Sequence, residues 1–358
     1  MFLISFSIQV NAQTSKLSGA FAASFGIVAD SKGNLFVTGQ NNKIIKVTPQ
    51  GKAELFAGGG RNNKDGIGKE AGFYGTKGIT IDSADNLYLA DGPAIRKITP
   101  DGLVSTIAGS RLHAYKDGDR STAAFWNLEA IAIDNKGTIY VTDNEYSPQG
   151  STGYYCIRKI TKEGIVSTIT NGNEGILKLH YPRGLACDKD GNLYVCCNAS
   201  HCIRKISPAG IITTVAGQCD KTVLNSVYKE GPVTTAVLTT PSSIAIAKNG
   251  DIYFTDSRLQ RIIKIANNKV TTVAGTGKFD FSGNPAGAAE PGYADGKALM
   301  ARFDSPDGIA FDRNGNLFII DRSSRNNSYI RKLSPDGMVT TFCKHEWNPK
   351  TSQYEEAE

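Results

Sequence analysis

The chain has 358 residues, with 40 Lys and Arg against 34 Asp and Glu, 38 Gly and 7 Cys. At 40% hydrophobic and 21% charged residues it can bury a sizeable core, which excludes wholesale disorder. No apolar run reaches the roughly 18 residues that a membrane-spanning helix needs. The glycine content points to many tight turns.

The first apolar stretch, Phe2 to Val10, is short and leads into Val10-Asn11-Ala12, a small-residue pattern before Gln13. It reads as a secretory signal peptide over residues 1–12 without the usual cationic start. A secreted or periplasmic location follows as an expectation, with the remaining chain beginning at residue 13.

From there six segments repeat. They are anchored at Gly26, Gly78, Ala130, Gly184, Ser243 and Gly308, and each follows the form Gly-Ile-Ala-x-Asp-x-x-Gly-Asn-Leu-Tyr-Val. Five residues before each anchor stands a large apolar residue: Phe21, Phe73, Phe125, Leu179, Leu238 or Phe303. Each unit reads as four short β-rich strands bounded by turn residues, the Asx side chain closing one turn and Gly taking positive φ. A four-stranded antiparallel sheet repeated at this period predicts an all-β, six-bladed β-propeller. The blades are expected near 21–58, 73–109, 125–170, 179–217, 238–275 and 303–343. A tail, 344–358, carries four Glu and no strand pattern.

The repeated Thr-Ile/Val-Ala-Gly, then Asp/Glu-Gly, then Ala-x-Phe-x-x-Pro-x-Gly-Ile-Ala-x-Asp resembles the NHL-repeat propellers over essentially the whole length after residue 12. The middle element is present as Asp65-Gly66, Asp117-Gly118, Glu230-Gly231 and Asp295-Gly296. The resemblance implies a fold; this scaffold hosts binders and enzymes alike.

Residues present in every blade serve the blade, whereas a site must break the symmetry. Asp30, Asp82, Asp134, Asp188 and Asp312 each open the same turn and are read as turn-closing residues, not as a metal ring. The third-strand cations, Arg96, Arg158, Arg204 and Arg331 among them, are expected to send their heads to solvent or a carboxylate. Spread evenly around a ring without interleaved surface aromatics, they argue against a nucleic-acid partner.

Antiparallel connectivity puts the variable-length loops on one face, which marks it for binding. There the innermost strands open onto the channel. The residue before each anchor is Phe25, Lys77, Glu129, Arg183, Ser242 or Asp307. Four residues before come Ala22, Tyr74, Trp126, His180, Thr239 and Asp304. Of these, Tyr74, Lys77, Trp126, Glu129, His180, Arg183, Asp304 and Asp307 form the candidate ligand site, with Glu129 between two cations. The expected ligand is a protein, peptide or glycan, with no cofactor.

The alternative is a metal-dependent hydrolase or lyase. Ser305-Pro306-Asp307-Gly308 resembles an element of the gluconolactonase-like propellers, which hold a divalent cation with acidic and amide residues at the pre-anchor position. Here Lys77 and Arg183 intrude and the amides are missing. Amidating-lyase-like propellers place histidines on zinc, but His113, His180, His201 and His345 show no fixed ligand spacing.

In the NHL pattern the second strand ends with an Asp that can face an Arg at the start of the third, as Asp256 and Arg261 do. The corresponding pair in blade 4 is Cys197 and Cys202, which suggests a disulfide in place of an ion pair; reduced, buried thiols are the other reading.

Overall fold

The computed structural model describes residues 26–356, apart from 40, 61–62, 111, 145–154, 172–178, 220–227, 276–291, 323–327 and 349–352. The proposed leader, together with Phe21, Ala22 and Phe25, lies outside the described residues, as do large parts of the variable loops.

Six antiparallel sheets surround a channel. The innermost strands are Ile27–Ala29, Thr76–Ile81, Leu128–Ile133, Pro182–Cys187, Pro241–Ile246 and Pro306–Phe311. Each packs against those of the preceding and following blades, and the ring closes where Ile27–Ala29 meets Pro306–Phe311. Six hydrophobic clusters make up the core, each spanning two adjacent blades. The closing seam is one of them: Ile27, Val37 and Ile45 pack with Ile320 and Ile330. Among the described residues no strand from one terminus completes the other terminus's blade.

Among the described residues blades 1 and 4 show the expected four strands. Blades 2, 3, 5 and 6 carry a fifth, two-residue strand: Gly66–Ile67, Gly118–Asp119, Gly231–Pro232 and Gly296–Lys297. Each comes from the Asp/Glu-Gly element and pairs with its blade's outer strand, as Gly66 does with Val104. The end of blade 6 also differs from the sequence reading. Its outer strand runs on as Met338–Asn348 and turns back into Gln353–Glu356, so the backbone of the tail is a hairpin.

The repeated turn behaves as its chemistry dictates. Asp30 Oδ1 accepts hydrogen bonds from the backbone N–H of Lys32 and Asn34, and Asp82, Asp134, Asp188 and Asp312 do the same in their blades. Blade 5 has Ala247 in that place, and Asn249 Oδ1 takes the N–H of Asp251 instead.

Of the two expected destinations, solvent or a carboxylate, the third-strand Arg96, Arg158 and Arg331 take the carboxylate, and they do so in full burial. Among the described residues Arg96, Arg158, Arg204 and Arg331 are the largest fully buried side chains. Arg158 lies over the Phe125 ring at 5.1 Å and donates to Asp143 Oδ2 at 3.0 Å and Asp117 Oδ1 at 2.7 Å. Arg96 bridges Asp91 and Asp65 in the same way, and Arg331 bridges Asp321 and Asp295. A guanidinium tolerates this burial because its planar fork finds two carboxylates and an aromatic face. In blades 2, 3 and 6 the phenylalanine five before the anchor, Phe73, Phe125 or Phe303, and the Asp of the Asp-Gly element therefore serve one purpose: they enclose an internal ion cluster.

The cysteine pairing also differs. Cys202 bonds Cys219, with Cα atoms 5.4 Å apart, rather than Cys197. Cys197 and Cys202 do face each other in the hairpin register. However, Gly217 is the register partner of Cys202 on its other side, and its φ of +90° turns the chain there. A side chain on Gly217 would collide with Cys202, so the chain leaves the strand close enough to bring Cys219 onto that sulfur.

Candidate functional site

Each of the last five innermost strands begins with a register shift: between Thr76 and Ile79, Leu128 and Ile131, Pro182 and Gly184, Pro241 and Ile244, and Pro306 and Ile309. Such bulges re-aim side chains. The residues inside them include Lys77, Glu129, Arg183, Ser242 and Asp307, and all five line one cavity of about 260 Å³ in the channel mouth. Its other walls are Tyr181, Ser243 and the small residues at four of the other anchors, and the aliphatic residues just after the anchors, Ile27, Ile79, Ile131, Leu185, Ile244 and Ile309. A charged ring thus stands over an apolar floor.

The blade scaffold holds these bulges from behind. One oxygen of Asp143 faces buried Arg158; the other accepts the backbone N–H groups of Trp126 and Asn127, both at 2.9 Å. Asp91 grips Tyr74 and Gly75 likewise, and Asp321 grips Asp304 and Ser305. Burial pushes the carboxyls of Asp143 and Asp321 up to about 6, against the opposing pull of these hydrogen bonds and the arginines. Close packing of the inner strands completes the frame. A Cβ on Gly78 would lie 2.5 Å from the Glu129 carbonyl oxygen, and one on Gly184 would lie 2.4 Å from that of Ser242.

Within the ring, Lys77 Nζ donates to Glu129 Oε1 at 2.9 Å, and Asn144 Nδ2 donates to Glu129 Oε2 at 2.9 Å. Glu129 pairs with Lys77 rather than with Arg183. Arg183 reaches past blade 5 to Asp307 Oδ2 at 3.5 Å, an oxygen that Arg322 also holds at 2.7 Å. Burial and the neighbouring Glu129 raise the Tyr181 phenol above its usual range.

The remaining candidates lie outside the cavity lining. Tyr74, 57% exposed, and Trp126 belong to an aromatic rim joined through His113, with ring centroids 5.6 and 6.2 Å from it; Tyr115 stacks on Trp126 at 6.1 Å. His180 is exposed, and Asp304 is half-buried with its N–H on Asp321. Asn144, Tyr181 and Arg322 are the site residues that the sequence reading passed over. Asn144 and Arg322 directly follow the Asp that ends the second strand, a position that varies among blades as Gly92, Asn144, Asn198, Ser257 and Arg322.

Among the described residues no three His, Cys, Asp or Glu side chains gather as a metal site would require. Both oxygens of Glu129 are held, by Lys77 and Asn144, and Asp307 Oδ2 is held by Arg183 and Arg322, which sets cations where a divalent ion would want oxygens. His113 Nδ1 bonds the Trp126 carbonyl and His201 Nδ1 that of Thr239. Among the described residues no helix is long and apolar enough to cross a membrane.

The family model for the teneurin NHL domain matches residues 58–118, and that for the NHL repeat matches residues 179–206. The chain is 26% identical over 297 residues to SUPPRESSOR OF QUENCHING 1, chloroplastic, of Arabidopsis thaliana, a match covering 78% of this chain and 27% of that protein. It is 24% identical over 243 residues to Teneurin-4 of Mus musculus, covering 61% of this chain and 8% of that one. The matched region is therefore a minor part of both relatives. A solved auxiliary nutrient binding protein from Bacteroides thetaiotaomicron superposes with TM-score 0.59 at 16% identity, covering 90% of this chain and 70% of that one. A gluconolactonase from Xanthomonas campestris gives 0.57 at 13%, covering 91% and 88%. A streptogramin B lyase gives 0.52 at 14%, covering 92% and 85%. At these identities the likeness is one of fold.

Proposed function

Since the chain is an NHL-repeat six-bladed β-propeller whose blade symmetry breaks at the channel mouth, we propose that it is an exported binding protein that takes a group of a protein, peptide or glycan into that mouth. The observation that carries this reading is the convergence of Lys77, Glu129, Arg183, Ser242 and Asp307, from five different bulges, on one cavity. The repeated Asp turns and buried arginines explain the blade, and these five residues have no such duty. Concave sites with a few convergent polar groups over apolar walls are the usual form of a ligand pocket. Its volume admits the end of a polymer or a single small residue, and the aromatic rim beside it offers the kind of contact on which binding energy concentrates.

Export is supported by the apolar segment before residue 13 and by the Cys202–Cys219 disulfide, a bond that persists in oxidising compartments. Binding is favoured over turnover by the pairing of Glu129 with Lys77 and Asn144 and of Asp307 Oδ2 with Arg183 and Arg322.

The reading is tested on peptide and glycan arrays with the wild-type protein, Arg183→Ala and Trp126→Ala, alongside thermal melting. Each substitution is expected to weaken capture by more than about 1 kcal/mol while melting barely moves. Hits that survive Arg183→Ala unchanged would place the site elsewhere. Metal analysis of the purified protein addresses the second reading, a hydrolase or lyase that uses Glu129 and Asp307. One tightly bound divalent ion per chain would favour it.

A further inference from the structure

We infer that the mouth recognises a carboxylate carried on an aliphatic body with a neighbouring N–H, the chemistry that a peptide presents at a C-terminal aliphatic residue. The inference rests on the mouth being the binding site and names what enters it.

Three features converge on that chemistry. The first is the cation. Arg183 keeps a quarter of its side chain exposed and touches Asp307 only at 3.5 Å, while Arg322 holds the same oxygen at 2.7 Å. Asp307 therefore retains its nearer partner when Arg183 turns to an incoming anion, and a guanidinium receives a carboxylate in two parallel hydrogen bonds. Lys77 is less available, because Glu129 holds it at 2.9 Å.

The second is an acceptor without a donor. Asn144 is 5% exposed, its Nδ2 is committed to Glu129 Oε2, and its Oδ1 has no hydrogen-bond partner. Rotating the amide would set oxygen against the Glu129 carboxylate, so the orientation is fixed. A buried unsatisfied acceptor costs on the order of 1–3 kcal/mol; Asn144 stands behind Glu129, outside the cavity lining, so a ligand N–H recovers that cost where the Glu129 side chain gives way to it.

The third is the floor. Six aliphatic side chains, Ile27, Ile79, Ile131, Leu185, Ile244 and Ile309, form the apolar end of the cavity. A sugar ring, hydroxylated around its edge, would strand polar groups there; a leucine or valine side chain would not. A cavity of about 260 Å³ holds one such residue and leaves the rest of a peptide outside the mouth.

The test uses calorimetric titration of the full chain with four probes. N-acetyl-L-leucine carries all three features. N-acetyl-L-leucinamide lacks the carboxylate, N-acetylglycine lacks the side chain, and glucuronate carries the carboxylate on a polar body. N-acetyl-L-leucine is expected to bind at least about tenfold more tightly than each of the others. Arg183→Ala should erase the preference for acid over amide, Arg183→Lys should restore part of it, and Asn144→Ala should weaken the acid without erasing that preference. Circular dichroism confirms that each variant is folded. Equal binding of acid and amide, preference for glucuronate, or no binding of N-acetyl-L-leucine at millimolar concentration would overturn the inference. If glucuronate or the amide binds and Arg183→Ala abolishes it, the ligand class fails but the mouth stands. If N-acetyl-L-leucine binds wild type and Arg183→Ala alike, the mouth itself is the wrong site.

Discussion

Gly78 lies against the backbone of Glu129 so closely that the smallest side chain at Gly78 would come within 2.5 Å of the Glu129 carbonyl oxygen. One blade's anchor glycine thereby fixes the next blade's ligand-facing residue. Gly78→Ala must push apart two inner strands whose positions are set by core on both sides. We expect a loss of about 1–3 kcal/mol in stability, the usual range for overpacking, together with weakened ligand capture through displaced Glu129. Gly75 has open space around it and is the control: Gly75→Ala should leave melting nearly unchanged. Equal melting temperatures for the two variants would show that the inner strands yield easily.

The internal arginine clusters predict a second contrast. Arg331 is fully buried against Asp321, itself 1% exposed at the side chain. Arg331→Ala would leave that carboxylate buried without its main counter-charge, and a loss of about 3–5 kcal/mol is expected. The same change should loosen the Asp304 and Ser305 N–H groups that Asp321 holds, and with them Asp307. Lys46 and Glu54, 3.5 Å apart and partly exposed, form the comparison: Lys46→Ala should cost less than about 1 kcal/mol. Denaturant titration of both variants decides the matter.

Stability should pass through a maximum on the acid side of neutrality. Asp143 and Asp321 are pushed up to about 6 by burial, above the ordinary aspartate value. Between about pH 4 and 6 the folded state then binds more protons than the unfolded chain, so these two groups add stability as pH falls through 6. Asp82, Asp188 and Asp251 are shifted the other way: their hydrogen bonds outweigh desolvation and hold them below the usual range. They lose stabilising contacts as pH falls below about 4. Melting curves should therefore peak near pH 5 and decline on both sides. Asp143→Asn should flatten the neutral side alone; a monotonic rise from pH 4 to 7.5 would contradict the assignment.

Cys219→Ser should lower the stability of the oxidised protein by about 3 kcal/mol, the loop-closure value for its 17-residue separation from Cys202. Cys197→Ser should leave the disulfide in place. Peptide mapping under non-reducing conditions reads both, and a Cys197–Cys202 linkage in the wild type would refute the pairing.

What the sequence conveyed depended on whether one repeat sufficed to see it. The Asp30-type turn and the pre-anchor residues Lys77, Glu129, Arg183, Ser242 and Asp307 could be read by laying six repeats side by side, because each role is local to its strand. Arg96, Arg158 and Arg331 could be found the same way but not understood. Alternation along a strand shows which face a residue occupies, not that Phe73, Phe125 or Phe303 will cover it from another segment. The reach of Arg183 past blade 5 to Asp307 depends on how far the ring curves, which no repeat encodes by itself. Asn144 and Arg322 were legible in principle, since their position varies among blades as freely as the pre-anchor one. The Cys219 pairing was not, because it hangs on a single turn at Gly217 where the chain leaves the repeat.

That turn bears on how the polypeptide acquires its covalent bond. Cys197 and Cys202 are five residues apart and meet as soon as one hairpin forms, whereas Cys202 and Cys219 require the third and outer strands of blade 4 to be paired first. Ring closure over five residues instead of 17 is entropically easier by about 1 kcal/mol on the logarithmic loop law. In an oxidising compartment a nascent chain would thus meet its local, non-native partner before its native one. Maturation then becomes a matter of order: oxidation must wait for blade 4 to assemble, or an exchange catalyst must move the bond afterwards.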